Sequence, residues 1–240
     1  DGVVAAARDA RPGETVRFVS VDRNDPLVFV TLGKGAAGGP ATAVLAFDAR
    51  TGQALGPVPI RQGVMYFLLR LHADAFLDLP GELFLGFMGL LFTASLVSGA
   101  VLYGPFMRKL SFGTVRRHRA PRVRWLDLHN LLGIVTILWA FAVGVTGVIN
   151  TLAKPIVSYW QATELAEMTA PWRGKPAPAE IASLQAAVDT AIAAVPGKEV
   201  GVIAFPGTPF AGSHHYGVFL RGTTPLTERL VTPVLIDAET

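Results

Sequence analysis

Two long stretches without a single charged residue, 83–106 and 131–153, constrain this chain more than anything else in it. Each exceeds the ~20 residues that an α-helix needs to cross ~30 Å of hydrocarbon. Two such stretches so close together predict a transmembrane hairpin rather than buried helices of a soluble core. Composition points the same way, since charged residues make up 16% of the chain against about 25% in soluble domains. The segment between the stretches holds Arg108, Lys109, Arg116, Arg117, Arg119, Arg122 and Arg124 against Asp127 alone. A short basic loop beside membrane-spanning ends is retained in the cytoplasm, so both flanks are expected on the periplasmic side of a bacterial inner membrane. Contact with anionic lipid is the ordinary use of such a loop. The modest net charge of +3 sits there too, so it gives no footprint for nucleic acid.

The flanks carry a common series of signals, as a duplicated unit would. An alanine-rich stretch at 3–10 leads into Pro12-Gly13-Glu14-Thr15-Val16, and 184–195 leads into Pro196-Gly197-Lys198-Glu199-Val200. β-rich runs then bracket turns at Asn24-Asp25-Pro26 and at Pro206-Gly207-Thr208-Pro209. Each copy ends in an apolar strand and an Asp-Ala-x-Thr turn, at Asp48-Ala49-Arg50-Thr51 and Asp237-Ala238-Glu239-Thr240. A helix followed by a meander of short strands is a small α+β unit. The second copy has room for a helix from Ala179, whereas the first opens partway through its own. Further residues are therefore expected beyond both ends.

Residues 64–79 read as one amphipathic helix. Arg70, Asp74 and Asp78 form its polar stripe, with Leu68, His72, Phe76 and Leu79 opposite. Pro80 and Glu82 suit the first turn of the following span. His72 is either a packed core histidine or a ligand near the outer membrane surface. His129 opens the second span, with Asp127 as its expected cap and Gly133 one turn on, leaving room for a flat ring against the backbone. His72 and His129 fall at opposite membrane faces, most of ~30 Å apart. They cannot share a metal whose bonds to imidazole nitrogen are only about 2 Å. His118 is read as solvated. The adjacent His214 and His215 would point opposite ways on an extended chain, so they are no preformed metal pair. Gly86, Gly89, Gly99 and Gly104 on the first span, with Gly133, Gly144 and Gly147 on the second, let helices or a cofactor approach closely.

The absence of cysteine excludes disulfides, thiolate catalysis and iron–sulfur ligation. No phosphate loop, dinucleotide fingerprint, nucleophile elbow or HExxH is present.

These pieces together resemble the PepSY-associated transmembrane helix family, also described as iron-regulated membrane proteins or siderophore reductases. The resemblance rests on Leu71-His72, Leu102-Tyr103-Gly104-Pro105, Asp127-Leu128-His129, Leu132-Gly133, Thr146-Gly147 and the two Asp-Ala-x-Thr turns. It implies a membrane α-helical fold: a transmembrane helix hairpin, part of a four-helix bundle, with two small periplasmic α+β PepSY-like units. On that division residues 1–60 are the first unit and 61–79 an interfacial helix. The spans are 80–106 and 128–153, joined by the cytoplasmic loop 107–127, and 154–240 hold a linker and the second unit.

The resemblance further implies two b-type haems, one near each membrane face, ligated by His72 and His129. Their partner histidines would come from spans outside this sequence. Arg70 at the outer face, and Arg122 or Arg124 at the inner face, would pair with haem propionates, and Gly133 would admit the ring. The implied activity is electron transfer across the inner membrane to ferric siderophores or other ferric chelates. The rival is a non-catalytic PepSY membrane protein that inhibits a protease, senses a ligand or serves a larger membrane complex.

Overall fold

The computed structural model describes residues 1–37, 39–107 and 110–239. The expected loop residues Arg108 and Lys109, and Thr240 of the second turn, lie outside them. The chain divides into two compact units, residues 1–62 with 158–240, and residues 63–157.

In the first unit, helix α1 (Gly2–Ala10) precedes strands β1 (Thr15–Val21), β2 (Leu27–Gly33), β3 (Ala43–Asp48) and β4 (Ala54–Pro57). The duplicate contributes α6 (Leu184–Ala194), β5 (Glu199–Ala204), β6 (His215–Arg221) and β7 (Thr232–Asp237). Rather than two separate small units, the copies form a single antiparallel sheet in the order β4-β3-β2-β1-β5-β6-β7. The join is β1 against β5, with Phe18 opposite Ala204, Val19 opposite Ile203 and Ser20 opposite Val202. Superimposing the two Pro-Gly-x-x-Val motifs makes Val19 equivalent to Ile203, so the pseudo-twofold axis passes through a pair of equivalent residues. The bulges obey the same symmetry, interrupting pairing between Val16 and Phe18 and between Val200 and Val202.

Both helices pack on one face of the sheet and share one core. Val4 and Ala7 of α1, and Leu184, Ala187 and Ala191 of α6, are buried together with Val19, Val30, Leu32, Phe47, Ile203, Val218 and Leu220. Helix α6 starts at Leu184 rather than near Ala179. Ser183 caps it, its Oγ accepting from the Ala186 amide at 3.4 Å. Across the copies, the Leu184 amide donates to the Asp1 carboxylate at 2.8 Å. The Asp-Ala turns close alike: Asp48 accepts from the amides of Arg50 and Thr51, and Asp237 from that of Glu239. Those amides hold the Asp48 carboxyl below the usual carboxylate range because they favour its charged form.

The second unit holds α2 (Gly63–Asp74), α3 (Asp78–Met107) and α4 (Pro121–Trp160). At 1.5 Å per residue α3 is about 45 Å long and α4 about 60 Å. Among the described residues these are the two helices long and apolar enough to cross a membrane, and their apolar windows are almost wholly unburied. Leu138 is 80% exposed and Trp139 71%, as befits surfaces that meet lipid. The expected four-helix bundle is not shown among the described residues, which hold these two helices.

Three expectations about these helices need correction. The expected helix 64–79 stops at Asp74, whose carboxylate accepts from the Phe76 amide at 2.9 Å. Ala75, Phe76 and Asp78 have positive φ, which removes Phe76 and Leu79 from the face of His72. Asp127 is not a helix cap, because α4 begins at Pro121 and Asp127 lies inside it. Nor does the helix that carries the second span stop near 153. Helix α4 passes through Pro155 to Trp160 and runs on through a π-helical turn (Gln161–Leu165) into α5 (Ala166–Met168).

Candidate functional site

The glycines of α3 and α4 fall into two groups. Those between the helices are tight: a Cβ on Gly86 would lie 2.5 Å from Thr151, and one on Gly144 2.7 Å from the Thr93 hydroxyl and 3.2 Å from Phe92. Gly89 faces Val148 at an ordinary 3.4 Å. This small-residue seam is the close packing that membrane helices use in place of a hydrophobic driving force. Lys154 pairs with Glu82 at 2.5 Å near the same end. By contrast, a Cβ on Gly99, Gly104, Gly133 or Gly147 would meet nothing within 4 Å.

Gly99 and Gly133 line a groove of about 420 Å³ between α3 and α4, on the loop side of the Thr93–Gly144 contact. Phe92, Leu96, Ile134 and Ile137 form its apolar walls, and Ser95, Tyr103, His129 and Asn130 supply polar groups. That volume lies within the range of small-molecule sites, about 300–1,000 Å³. His129 is exposed on this groove and has no hydrogen-bond partner among the described residues. A slot with glycine on opposing walls and one imidazole admits a planar ligand and can offer it a nitrogen donor.

The remaining candidates lie elsewhere. His72 is exposed on α2, and Leu68, Leu69 and Leu71 around it are exposed too. The start of α3 beside α2 and Gly99 in the groove are separated by about 30 Å along the helix. Arg70 is already engaged, donating to Asp74 and to Asp78 at 3.0 Å each. Arg124 does not line the His129 groove but a different one, with Arg117 and Trp125. Arg122, two turns before His129, shares its helical face by periodicity. No cluster of three or more metal-ligating carboxylates and histidines occurs among the described residues.

Two features of the sheet unit left no local trace in the sequence. The sheet face away from the helices carries a groove of about 710 Å³ lined by Phe18, Phe29, Val202, Phe210, Phe219 and Arg221. Its rings meet edge to face, Phe18 with Phe210 at 5.9 Å and Phe210 with Phe219 at 6.1 Å. On its rim, Arg221 donates to the Val21 carbonyl at 3.3 Å, while its Nε is buried without a partner.

The second feature is the burial of the adjacent His214 and His215, at 1% and 4% exposure. His214 contacts the Glu239 carboxylate at 3.0 Å and the Lys175 carbonyl at 3.3 Å. His215 stacks edge-on against Trp172 at 4.4 Å, with its Nδ1 unpartnered. Burial holds His215 below the usual imidazole value, with the charge of His214 adding to this and Asp237 opposing it.

Among curated proteins, none matches the sequence. A family model does, over residues 2–232, and so takes in both long apolar helices and the sheet as far as the start of β7. A duplicated α+β sheet interrupted by an apolar helix hairpin is thus the shape of a known family, and this chain belongs to it: the PepSY-associated TM region family.

Proposed function

We propose that this chain belongs to a di-haem electron-transfer protein of the bacterial inner membrane, reducing ferric siderophores or other ferric chelates in the periplasm. The observation that carries the proposal is the His129 groove, where the open faces of Gly99 and Gly133 leave a slot beside an unpartnered imidazole. Bound haem supplies one-electron chemistry, which the side chains of this cysteine-free chain do not.

His129 would ligate the inner group, with the groove's apolar walls excluding water. Arg122, on the face of His129, is the better-placed cation for an inner propionate, since Arg124 lines another groove. His72 would serve the outer group, about 30 Å away along α3. There Arg70 would have to share its guanidinium with Asp74 and Asp78. The second ligand of each iron would come from outside this chain. The basic loop supports an orientation with Arg116–Arg124 cytoplasmic and the sheet unit periplasmic. The aromatic groove with Arg221 on its rim would hold the ferric chelate, an anionic and commonly aromatic ligand.

The test is the reduced-minus-oxidised visible spectrum of the complete protein in detergent. Two haems per chain are expected, with His72→Ala and His129→Ala each removing one. Reduced protein mixed with a ferric siderophore should reoxidise rapidly, and slowly in His72→Ala. A protein that binds no haem leaves the ligand-sensing reading, which the aromatic groove of the sheet also favours.

A further inference from the structure

The connection between α3 and α4 is built around one carboxylate. Asp127 is 3% exposed and accepts from the backbone amide of Arg116 at 2.9 Å, its Nε at 3.0 Å and its Nη2 at 2.7 Å. This clamp folds the loop back along α4. At Gly113, where the backbone turns with φ +77°, a Cβ would lie 4.0 Å from Leu131 Cδ1. Leu131 is about 15 Å along the helix from its start at Pro121.

The folded-back loop leaves a groove of about 710 Å³, lined by Gly113, Val115, Arg117, Arg124, Trp125, Leu128 and Leu131. Its composition changes with depth. Arg124 lies near the start of α4, followed by Trp125, and Arg117 is contributed by the loop. Leu128 and Leu131 come last, where the charge-free stretch begins. Tryptophan at that level is characteristic of the membrane–water interface. Asp127 is the only acidic residue between Glu82 and Glu164, and its charge is taken up by Arg116. Among the described residues neither Arg117 nor Arg124 has a carboxylate partner. The groove therefore presents two guanidinium groups without a carboxylate partner beside the apolar side chains of Leu128 and Leu131.

We infer that this groove is a binding site for one anionic phospholipid of the adjoining leaflet, its phosphate held between Arg117 and Arg124 and its acyl chains over Leu128 and Leu131. Guanidinium groups suit phosphate because their planar forks donate paired hydrogen bonds. The clamp fixes the loop before the lipid arrives, so little ordering remains to be done on binding. The inference rests on the reading of α3 and α4 as spans and not on the haem proposal.

The test places the full-length protein in phosphatidylcholine nanodiscs that contain a small fraction of dibrominated lipid, either phosphatidylglycerol or phosphatidylcholine. Bromine quenches tryptophan at short range, and the Trp125 signal is the difference between wild type and Trp125→Phe. Two surface arginines should enrich the anionic lipid about tenfold or more beside Trp125. Brominated phosphatidylglycerol should therefore quench far better than brominated phosphatidylcholine. The double variant Arg117→Gln, Arg124→Gln should lose the preference but keep the phosphatidylcholine quenching. Arg117→Lys with Arg124→Lys should keep part of the preference, which separates charge loss from misfolding. Equal quenching by both lipids in the wild type overturns the site. So does a preference that survives the glutamine variant, since it would belong to the loop's general charge. A cofactor spectrum altered by Arg124→Gln, with lipid preference intact, would assign that arginine to the inner cofactor instead.

Discussion

Replacing Ile203 by alanine tests whether the two copies of the α+β repeat are one folding unit. Ile203 is 3% exposed at the centre of the sheet, opposite its symmetry equivalent Val19. The substitution removes three buried carbons, worth about 2.4 kcal/mol at ~0.8 each. A partly collapsed cavity adds to that, for a total near 3 kcal/mol, within the range of such truncations. If the shared core unfolds as one body, its opening equilibrium rises by a little over a hundredfold. Hydrogen exchange of the full-length protein in detergent, followed by mass spectrometry, reads this directly. Peptides holding Val218 and Leu220 from the second copy should exchange faster. Those holding Val30 and Leu32 from the first should do so by the same factor, because all four side chains are buried in one cluster. Peptides from α3 and α4 should not change. Acceleration confined to β5–β7 would refute the single core and restore two independent halves joined only by hydrogen bonds.

The two groups of glycines should respond oppositely to enlargement. Gly144→Leu would drive a side chain into Thr93 and Phe92 and should lower the thermal stability of the hairpin in detergent, whereas Gly133→Leu should leave it nearly unchanged and block ligand entry to the His129 groove, seen as lost absorbance of any bound cofactor. His215 sets a pH dependence. Its pKa is lowered on folding, so in the window below the ordinary imidazole value of about 6.5 the unfolded chain binds more protons and stability rises with pH. That contribution is complete above about 6.5 and is lost as the medium is acidified. Melting of the full-length protein between pH 7.5 and pH 5 should show a shallower loss in His215→Phe than in wild type, and equal slopes would remove His215 from the account.

What the sequence determines here is local. Two charge-free runs of spanning length and a basic segment between them fix the hairpin, because hydropathy is a property of neighbours along the chain. The Pro-Gly-x-x-Val and Asp-Ala turns are legible for the same reason, since an Asp-Ala turn is closed by amides within three residues. Even His129 and Gly133 could be paired in advance, being one helical turn apart. The tertiary structure decided everything that depends on residues distant in sequence. Pairing of Val19 with Ile203 turns two α+β units into one sheet, and no local pattern distinguishes that from two sheets standing apart. The break after Asp74 escaped the apolar periodicity because it is made by a side chain accepting from the chain's own amide. Glycine looks the same wherever it stands in a span, so only the neighbouring helix separates Gly86 and Gly144, pressed against threonine, from Gly99 and Gly133, open to a ligand. Asp127 reads as a helix cap until Arg116 is seen folded onto it, because a carboxylate accepts whichever donors the fold brings within reach.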